Sequence, residues 1–225
     1  MKIDVLTLFP EMFEGFLNSS IIKKAKDQKK VNINLVNFRD YAKDKHKKVD
    51  DYQFGGGEGM VLMIEPIYEA LKKIRKNNSL VILMTPQGEV YHQSKAYQLV
   101  NEKHLIIICG HYEGFDERIR SLVDLEISVG DFILTGGEIP ALILVDSIIR
   151  LIDGVIDESS HQNESFNGNL LDYPVYTKPV DFMGMKVPEV LLSGHHQKIS
   201  EWRKNEQIQR TKMRRPDLWG DENEK

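Results

Sequence analysis

Residues 80–114 read LVILMTPQGEVYHQSKAYQLVNEKHLIIICGHYEG. Two short uncharged apolar runs, residues 80–85 and 105–109, bracket a stretch with helical spacing at residues 94–102. Runs this short and apolar on both faces are what strands need when helices cover them on both sides, as in a parallel sheet. The same reading extends outward. Residues 2–8 place Ile3, Val5 and Thr7 on one face and Asp4, Leu6 and Leu8 on the other, and residues 31–38 form a second strand by composition. Pro10 opens a helix carrying Met12, Phe13, Phe16, Leu17, Ile21 and Ile22, and residues 64–75 form another. Residues 126–134 are strand-like with an interruption at Gly130-Asp131, and Pro140 starts an apolar helix reaching about Ile152. Alternating strands and helices predict an α/β fold, and the pattern by itself implies an open doubly wound sheet. Beyond Asp153 the periodicity fades into Gly, Asn, Ser and Pro until a basic helix at residues 198–215. A linker or lid is expected there, joining the sheet to a small helical C-terminal domain.

Composition narrows the class. Of 225 residues 41% are hydrophobic and 28% charged, with a net charge of −4, which excludes disordered, collagenous and coiled-coil chains. The single cysteine, Cys109, excludes an internal disulfide framework and a Cys-rich zinc site. The apolar runs fall far short of the roughly 18 residues of a membrane span. Asp4, Pro10 and Glu11 interrupt the first run, so it does not read as a signal peptide, and a cytoplasmic protein with no membrane partner is expected.

The small net charge hides two basic segments. Residues 1–50 hold 11 Lys+Arg against 7 Asp+Glu, crowded at Lys43, Lys45, His46, Lys47 and Lys48. Residues 195–215 hold 7 basic against 2 acidic groups, whereas residues 107–150 hold 3 basic and 8 acidic. Such clusters bind polyanions by releasing counterions, but they are also ordinary solvated surface, and charge alone does not decide.

Three loops are candidates for a ligand pocket: Thr85-Pro86-Gln87-Gly88, Gly110-His111-Tyr112-Glu113-Gly114, and the stretch from Gly130 through Thr135-Gly136-Gly137-Glu138-Ile139-Pro140. Each follows an expected strand, and in open parallel sheets ligands sit beyond the carboxyl ends, where glycine admits close backbone approach. Any one of these glycines could equally serve a turn. Four glycines within Gly55-Gly56-Gly57-Glu58-Gly59 carry a large entropic cost and fit a mobile lid. The stretch is neither a Walker motif nor a dinucleotide fingerprint.

Several longer motifs carry a resemblance. They are Leu8-Phe9-Pro10-Glu11-Met12-Phe13, Val49-Asp50-Asp51 before the glycine stretch, Gly110-His111-Tyr112-Glu113-Gly114 with Asp116-Glu117-Arg118, Gly136-Gly137-Glu138, and Leu170-Leu171-Asp172-Tyr173-Pro174 with Tyr176-Thr177-Lys178-Pro179. Together, in order from residue 1 to about 218, they resemble the TrmD family, the bacterial tRNA (guanine-N1)-methyltransferases of the SPOUT class. The resemblance implies a parallel sheet with a deep trefoil knot, which pattern reasoning does not reach because knotted chains are so rare. It also implies an obligate homodimer and S-adenosylmethionine as methyl donor to N1 of guanosine 37 in tRNAs with guanosine at position 36. The implied division is a cofactor-binding domain at 1–158, a linker or lid at 159–175 and a helical tRNA-binding domain at 176–225.

Carried over residue by residue, the cofactor site falls on Thr85, Pro86, Gly110, Tyr112, Glu113, Gly114, Ile127, Gly130, Leu134, Gly136, Gly137 and Pro140. The catalytic pair falls on Arg150, after Asp146-Ser147, and on Glu164, before Ser165-Phe166, where the family usually has Asp. A base is required because guanine N1 carries a proton, and a guanidinium can meet charge developing on O6. The resemblance also implies that Mg²⁺ assists, with Glu113 a candidate beside it, although one carboxylate predicts no metal by itself. His111 stands where the family often has Arg, and no second His or Cys lies at ligand spacing beside it. The basic residues 43–48 and Arg210, Arg214 and Arg215 are then candidates to hold tRNA phosphates. Two rivals are weighed: a non-catalytic RNA-binding or assembly protein, disfavoured by the retained Arg150, Glu164 and glycine loops, and a nucleotide-binding oxidoreductase, disfavoured by the missing fingerprint.

Overall fold

The computed structural model describes residues 1–157, 164–166 and 168–219. The chain divides into two compact units, Met1–Ile156 and Asp157–Lys225. Of the expected lid at 159–175, residues 159–163 and 167 lie outside the described residues, as do residues 220–225.

The first unit runs β1 (Lys2–Thr7), α1 (Glu14–Leu17), α2 (Ser20–Asp27), β2 (Asn32–Asn37), β3 (Asp50–Asp51), β4 (Val61–Leu62), α3 (Ile64–Ile74), β5 (Ser79–Val90), α4 (Gln93–Leu99), β6 (His104–Ile108), β7 (Leu125–Ser128) and α5 (Glu138–Ile149). Five strands form one sheet in the order β2-β1-β6-β5-β7, every neighbouring pair parallel. The period of two sorts the central strands between two cores. Ile3 and Val5 of β1, Leu105 and Ile107 of β6, and Ile82 and Met84 of β5 pack in one layer with Ala141, Leu144 and Ile148 of α5. Leu6, Ile106, Ile108, Val81 and Leu83 pack in the other with Ile67, Ala70 and Leu71 of α3. Helices on both faces explain why these strands carry no polar face.

One polar chain crosses the amino-terminal end of the sheet. Ser79 Oγ lies 2.7 Å from His104 Nδ1, His104 Nε2 lies 2.8 Å from Asp4 Oδ2, and Asn34 Nδ2 donates to Asp4 Oδ1 at 2.8 Å. These bonds tie together four strands and satisfy two buried side chains, Asp4 and His104. Burial opposes ionisation of Asp4, but hydrogen bonds from Lys2, Asn34 and His104 outweigh it and hold the carboxyl below its ordinary range.

Four elements depart from the sequence expectation, each for a local reason. The helix expected from Pro10 is broken, because Asn18 Nδ2 and Ser19 Oγ donate to the Glu14 and Gly15 carbonyls and end α1. β5 does not stop at Thr85. Both Met84 and Glu89 pair with Ile127, so residues 85–88 are extruded as a bulge and the strand resumes to Val90. β7 stops at Ser128, where the Ser128 Oγ receives the Gly130 N–H at 3.2 Å and Gly130 takes φ +145°. α5 begins at Glu138 rather than Pro140, and proline in a first turn loses no helical hydrogen bond.

The second unit contains a hairpin of β8 (Asp181–Phe182) and β9 (Met185–Lys186), then α6 (Glu189–Leu192) and α7 (His196–Arg214). The hairpin turns on Met183 and Gly184, at φ +54° and +83°, the positive pair that a tight two-residue turn requires. Among the described residues no helix is long and apolar enough to cross a membrane.

Candidate functional site

A cavity of about 450 Å³ opens in the first unit where the β5 bulge, the loop after β6 and the loop between β7 and α5 meet. All twelve residues of the expected cofactor site line it. β6 ends opposite Leu83, so Thr85 and Pro86 already lie past its carboxyl end, and the bulge serves as a third loop. Gly88 closes the bulge against the Glu126 and Ile127 backbone, leaving no room for a Cβ.

The walls meet backbone to backbone. Gly137 N–H donates to Gly110 O at 2.8 Å, a Cβ on Gly137 would stand 2.6 Å from Gly110 N, and one on Gly110 would stand 2.6 Å from the Phe115 ring. The 110–116 loop is held from its other side by the β3–β4 arm: Leu62 N–H donates to Gly114 O, Asp116 N–H to Leu62 O, and Glu113 N–H to Met60 O, all at 2.9–3.0 Å. The arm carries the glycine stretch. Gly55, Gly56, Gly57 and Gly59 all take positive φ, from +75° to +140°, and Gly59 abuts the Glu113 side chain.

Beneath this loop lies a group that the sequence reading assigned no role. Glu138 is fully buried, accepting from Thr7 Oγ1 at 2.6 Å and from His111 Nε2 at 2.7 Å, with the ring hydrogen assigned to Nε2. Thr7 Oγ1 in turn accepts from Phe9 N–H, and the Phe9 and His111 rings lie 4.6 Å apart. His111 is thus held by a carboxylate at the start of α5. Next to it Cys109 is fully buried, and burial, with a smaller push from Glu138, raises its thiol well above the ordinary range, so it is no nucleophile. Arg120, also unassigned from sequence, lines the cavity and joins Gln87 of the bulge to Glu126 and Glu117. No sequence signal singled out Arg120; the Gly136-Gly137-Glu138 motif was the available pointer to Glu138. Among the described residues no group of three His, Cys, Asp or Glu side chains could hold a metal ion.

Arg150 does not line this cavity. It caps the carboxyl end of α5, whose twelve residues span about 18 Å, while Gly137 and Pro140 mark the cavity end. The last turn is pinned by Tyr91 OH, 2.7 Å from Ser147 Oγ, which donates to Ile143 O. Glu164 belongs to the second unit and is half-buried.

Most of the basic residues at 43–48 already face acids. Lys43 pairs with Glu65 and Glu69, Lys47 with Asp40 and Lys48 with Asp51, at 2.7–3.1 Å. In the second unit Arg215 pairs with Asp217 at 2.6 Å, while Arg210 and Arg214 line a separate cavity with Asp172, Tyr173 and Tyr176.

Residues 1–221 match the family model described as tRNA (Guanine-1)-methyltransferase TrmD. The chain is 58% identical over 220 residues to a Ureaplasma urealyticum protein, covering 97% of this chain and 96% of that one. It is 56% identical over 223 residues to a Bacillus pumilus protein (97% and 91% covered) and 55% identical over 226 residues to one from Bacillus subtilis strain 168 (98% and 93%). Each of these relatives is named tRNA (guanine-N(1)-)-methyltransferase.

Proposed function

Since the chain belongs to the tRNA (guanine-1)-methyltransferase TrmD family, we propose that it methylates N1 of guanosine 37 in the tRNA anticodon loop, with S-adenosylmethionine bound in the cavity of the first unit. The coarser statement, an enzyme that methylates guanine N1 in tRNA, follows from family membership at this identity. The observation that carries the cofactor assignment is the convergence of all twelve residues on one cavity. Two features fit this cofactor. Gly88, Gly110, Gly136 and Gly137 form a cradle in which an added Cβ would collide with neighbouring atoms. The lining also holds Glu113, Asp116 and Glu117 against Arg120, an acidic excess suited to a sulfonium and an ammonium. When bound, S-adenosylmethionine supplies an activated methyl group.

The chain's own residues then have three tasks. The loops hold donor and acceptor in line. The Glu164 carboxylate takes the proton from guanine N1, and the Arg150 guanidinium meets the charge that develops on O6. Because Arg150 stands about 18 Å along α5 from the cavity end, an arginine acting there comes from a second copy of the chain. Large apolar side chains exposed around the cavity and along α5 (Phe132, Ile133, Ile139, Ile143) fit a face covered in such a homodimer. The SPOUT trefoil knot belongs to the same proposal. So does the division into a cofactor domain at 1–158, a lid at 159–175 and a tRNA-binding domain at 176–225, acting in the cytoplasm. Residues 43–48 with Arg210, Arg214 and Arg215 are the proposed phosphate contacts. Glu113 does not by itself make a Mg²⁺ site, and no step is assigned to the metal.

The test is transfer of labelled methyl groups to tRNA transcripts with or without guanosine at positions 36 and 37. Methylation confined to transcripts carrying both guanosines is expected. Equal labelling of transcripts lacking guanosine 37 overturns the assignment.

A further inference from the structure

The second unit has a cavity of its own, about 530 Å³, and we propose that it takes one nucleotide of the tRNA strand, its phosphate against Arg210 and Arg214 and its base against Tyr173 and Tyr176. The inference rests on the reading that the chain acts on tRNA, and it adds a contact away from the reacting base.

Arg210 and Arg214 stand four residues apart on α7, so they project from one face a turn apart. Other cations of this helix are already engaged. Arg203 lies over the Tyr173 ring at 4.7 Å, Lys212 over Trp219 at 4.4 Å, and Arg215 is paired with Asp217. Among the described residues neither Arg210 nor Arg214 has an ion-pair or hydrogen-bond partner, yet both line the cavity. Two unneutralised guanidinium groups on one concave wall match a phosphate, whose oxygens accept two parallel N–H bonds.

The opposite wall is prebuilt. Thr211 is fully buried, and its Oγ1 accepts Leu171 N–H at 2.8 Å while donating to Gln207 O at 2.7 Å. Asp172 N–H donates to Ser165 Oγ at 3.0 Å, and Asp172 Oδ1 accepts Tyr173 N–H at 2.7 Å. These bonds fix the segment that carries both tyrosines. Aromatic faces of this kind stack bases of any sequence. The Asp172 carboxylate opposes a bare polyanion, but it accepts from the hydroxyl and N–H donors that a nucleotide carries beside its phosphate.

The experiment measures tRNA affinity of the full-length protein at several salt concentrations. Arg210→Gln and Arg214→Gln are each expected to weaken binding roughly tenfold, as for a lost charge-assisted hydrogen bond. Each should also reduce the slope of log affinity against log salt by roughly 0.7, the value for one phosphate on a single strand. Tyr176→Ala should lose about fivefold or more, and Tyr176→Phe, which keeps the ring, should bind like the parent. Lys204→Gln makes the same charge change on an exposed part of the helix outside the cavity and should shift affinity less than about twofold. Calorimetric affinity for S-adenosylhomocysteine should not move in any variant. If the two arginine variants weaken binding no more than Lys204→Gln, the cavity is not a nucleotide site. If the parent protein neither binds nor methylates tRNA, it is the functional reading that fails instead.

Discussion

Gly137→Ala tests whether the cavity is a backbone cradle. The new methyl group would stand 2.6 Å from Gly110 N and 2.8 Å from Cys109 Cα, against the roughly 3.5–4.0 Å of an ordinary carbon contact. Both obstructing atoms are main chain, and Cys109 is locked in the core, so no side chain can swing aside. The loop after β6 must therefore retreat by about 1 Å. Overpacking of this kind costs about 1–3 kcal/mol. Stretching the Gly137 N–H to Gly110 O bond, 2.8 Å in the native chain, adds about 0.5–1.5 kcal/mol. A loss of about 2–4 kcal/mol corresponds to a Tm lowered by about 4–16 °C at this chain length. The same retreat moves Gly110 and Tyr112 in the cavity wall, so affinity for S-adenosylhomocysteine should fall by at least about tenfold. The control is Gly15→Ala in α1, where a Cβ meets nothing within 4 Å; alanine there should be neutral or stabilising by up to about 1 kcal/mol. Thermal denaturation and calorimetry read both effects. A Gly137→Ala protein with the parent Tm and the parent affinity would refute the cradle argument.

Further outcomes follow from the same geometry. Arg150→Ala should abolish methyl transfer with little change in cofactor affinity, since Arg150 lies outside the cavity; equal losses in both would reject its assignment to the guanine. Glu164→Gln should nearly abolish transfer because the amide takes no proton at neutral pH, whereas Glu164→Asp should remain active. A fully active Gln variant would move the search for the base to Asp172 or Asp131. The Asp4 carboxyl is held below its unfolded value, so its contribution to stability is present above about pH 4 and is lost as pH falls through the folded value. A scan of Tm from pH 3 to 7 should fall more steeply in acid for the parent than for Asp4→Asn, and parallel curves would show that Asp4 is not the group responsible. Lys45 has no acid partner among the described residues, whereas Lys47 is paired with Asp40. Lys45→Ala should therefore lower tRNA affinity more than Lys47→Ala, and salt-insensitive binding would show that this segment is only solvated surface.

The elements that were legible in the sequence are those whose signal is local. β1, β5 and β6 announce themselves because each is buried on both faces, and the period of two leaves no polar side to hide the pattern. The ends of elements were less legible. The β5 bulge depends on Met84 and Glu89 sharing Ile127 across the sheet, a pairing 40 residues distant that no window on residues 80–90 contains. The break between α1 and α2 depends on where two short polar side chains point. The β8–β9 hairpin has two-residue strands, too short to show any period.

A similar division separates the parts of the site. Cofactor walls made from backbone need glycine wherever two chains touch, and glycine leaves a mark in the sequence: Gly110, Gly136 and Gly137 were readable as a pocket before any fold was known. Side-chain partnerships leave no such mark. Glu138 is an ordinary acid in the sequence until folding buries it between Thr7, 131 residues earlier, and His111. The bond to Glu138 also settles the unusual residue at position 111. A guanidinium or an imidazole can each donate one hydrogen bond to this carboxylate, so His in place of Arg keeps the contact that binds the loop to the start of α5. What the exchange alters is the charge, because arginine stays cationic whereas histidine can release its proton near neutrality. The carboxylate is the member of the pair that cannot be exchanged for a neutral group without leaving Thr7 Oγ1 and His111 Nε2 short of an acceptor inside the core.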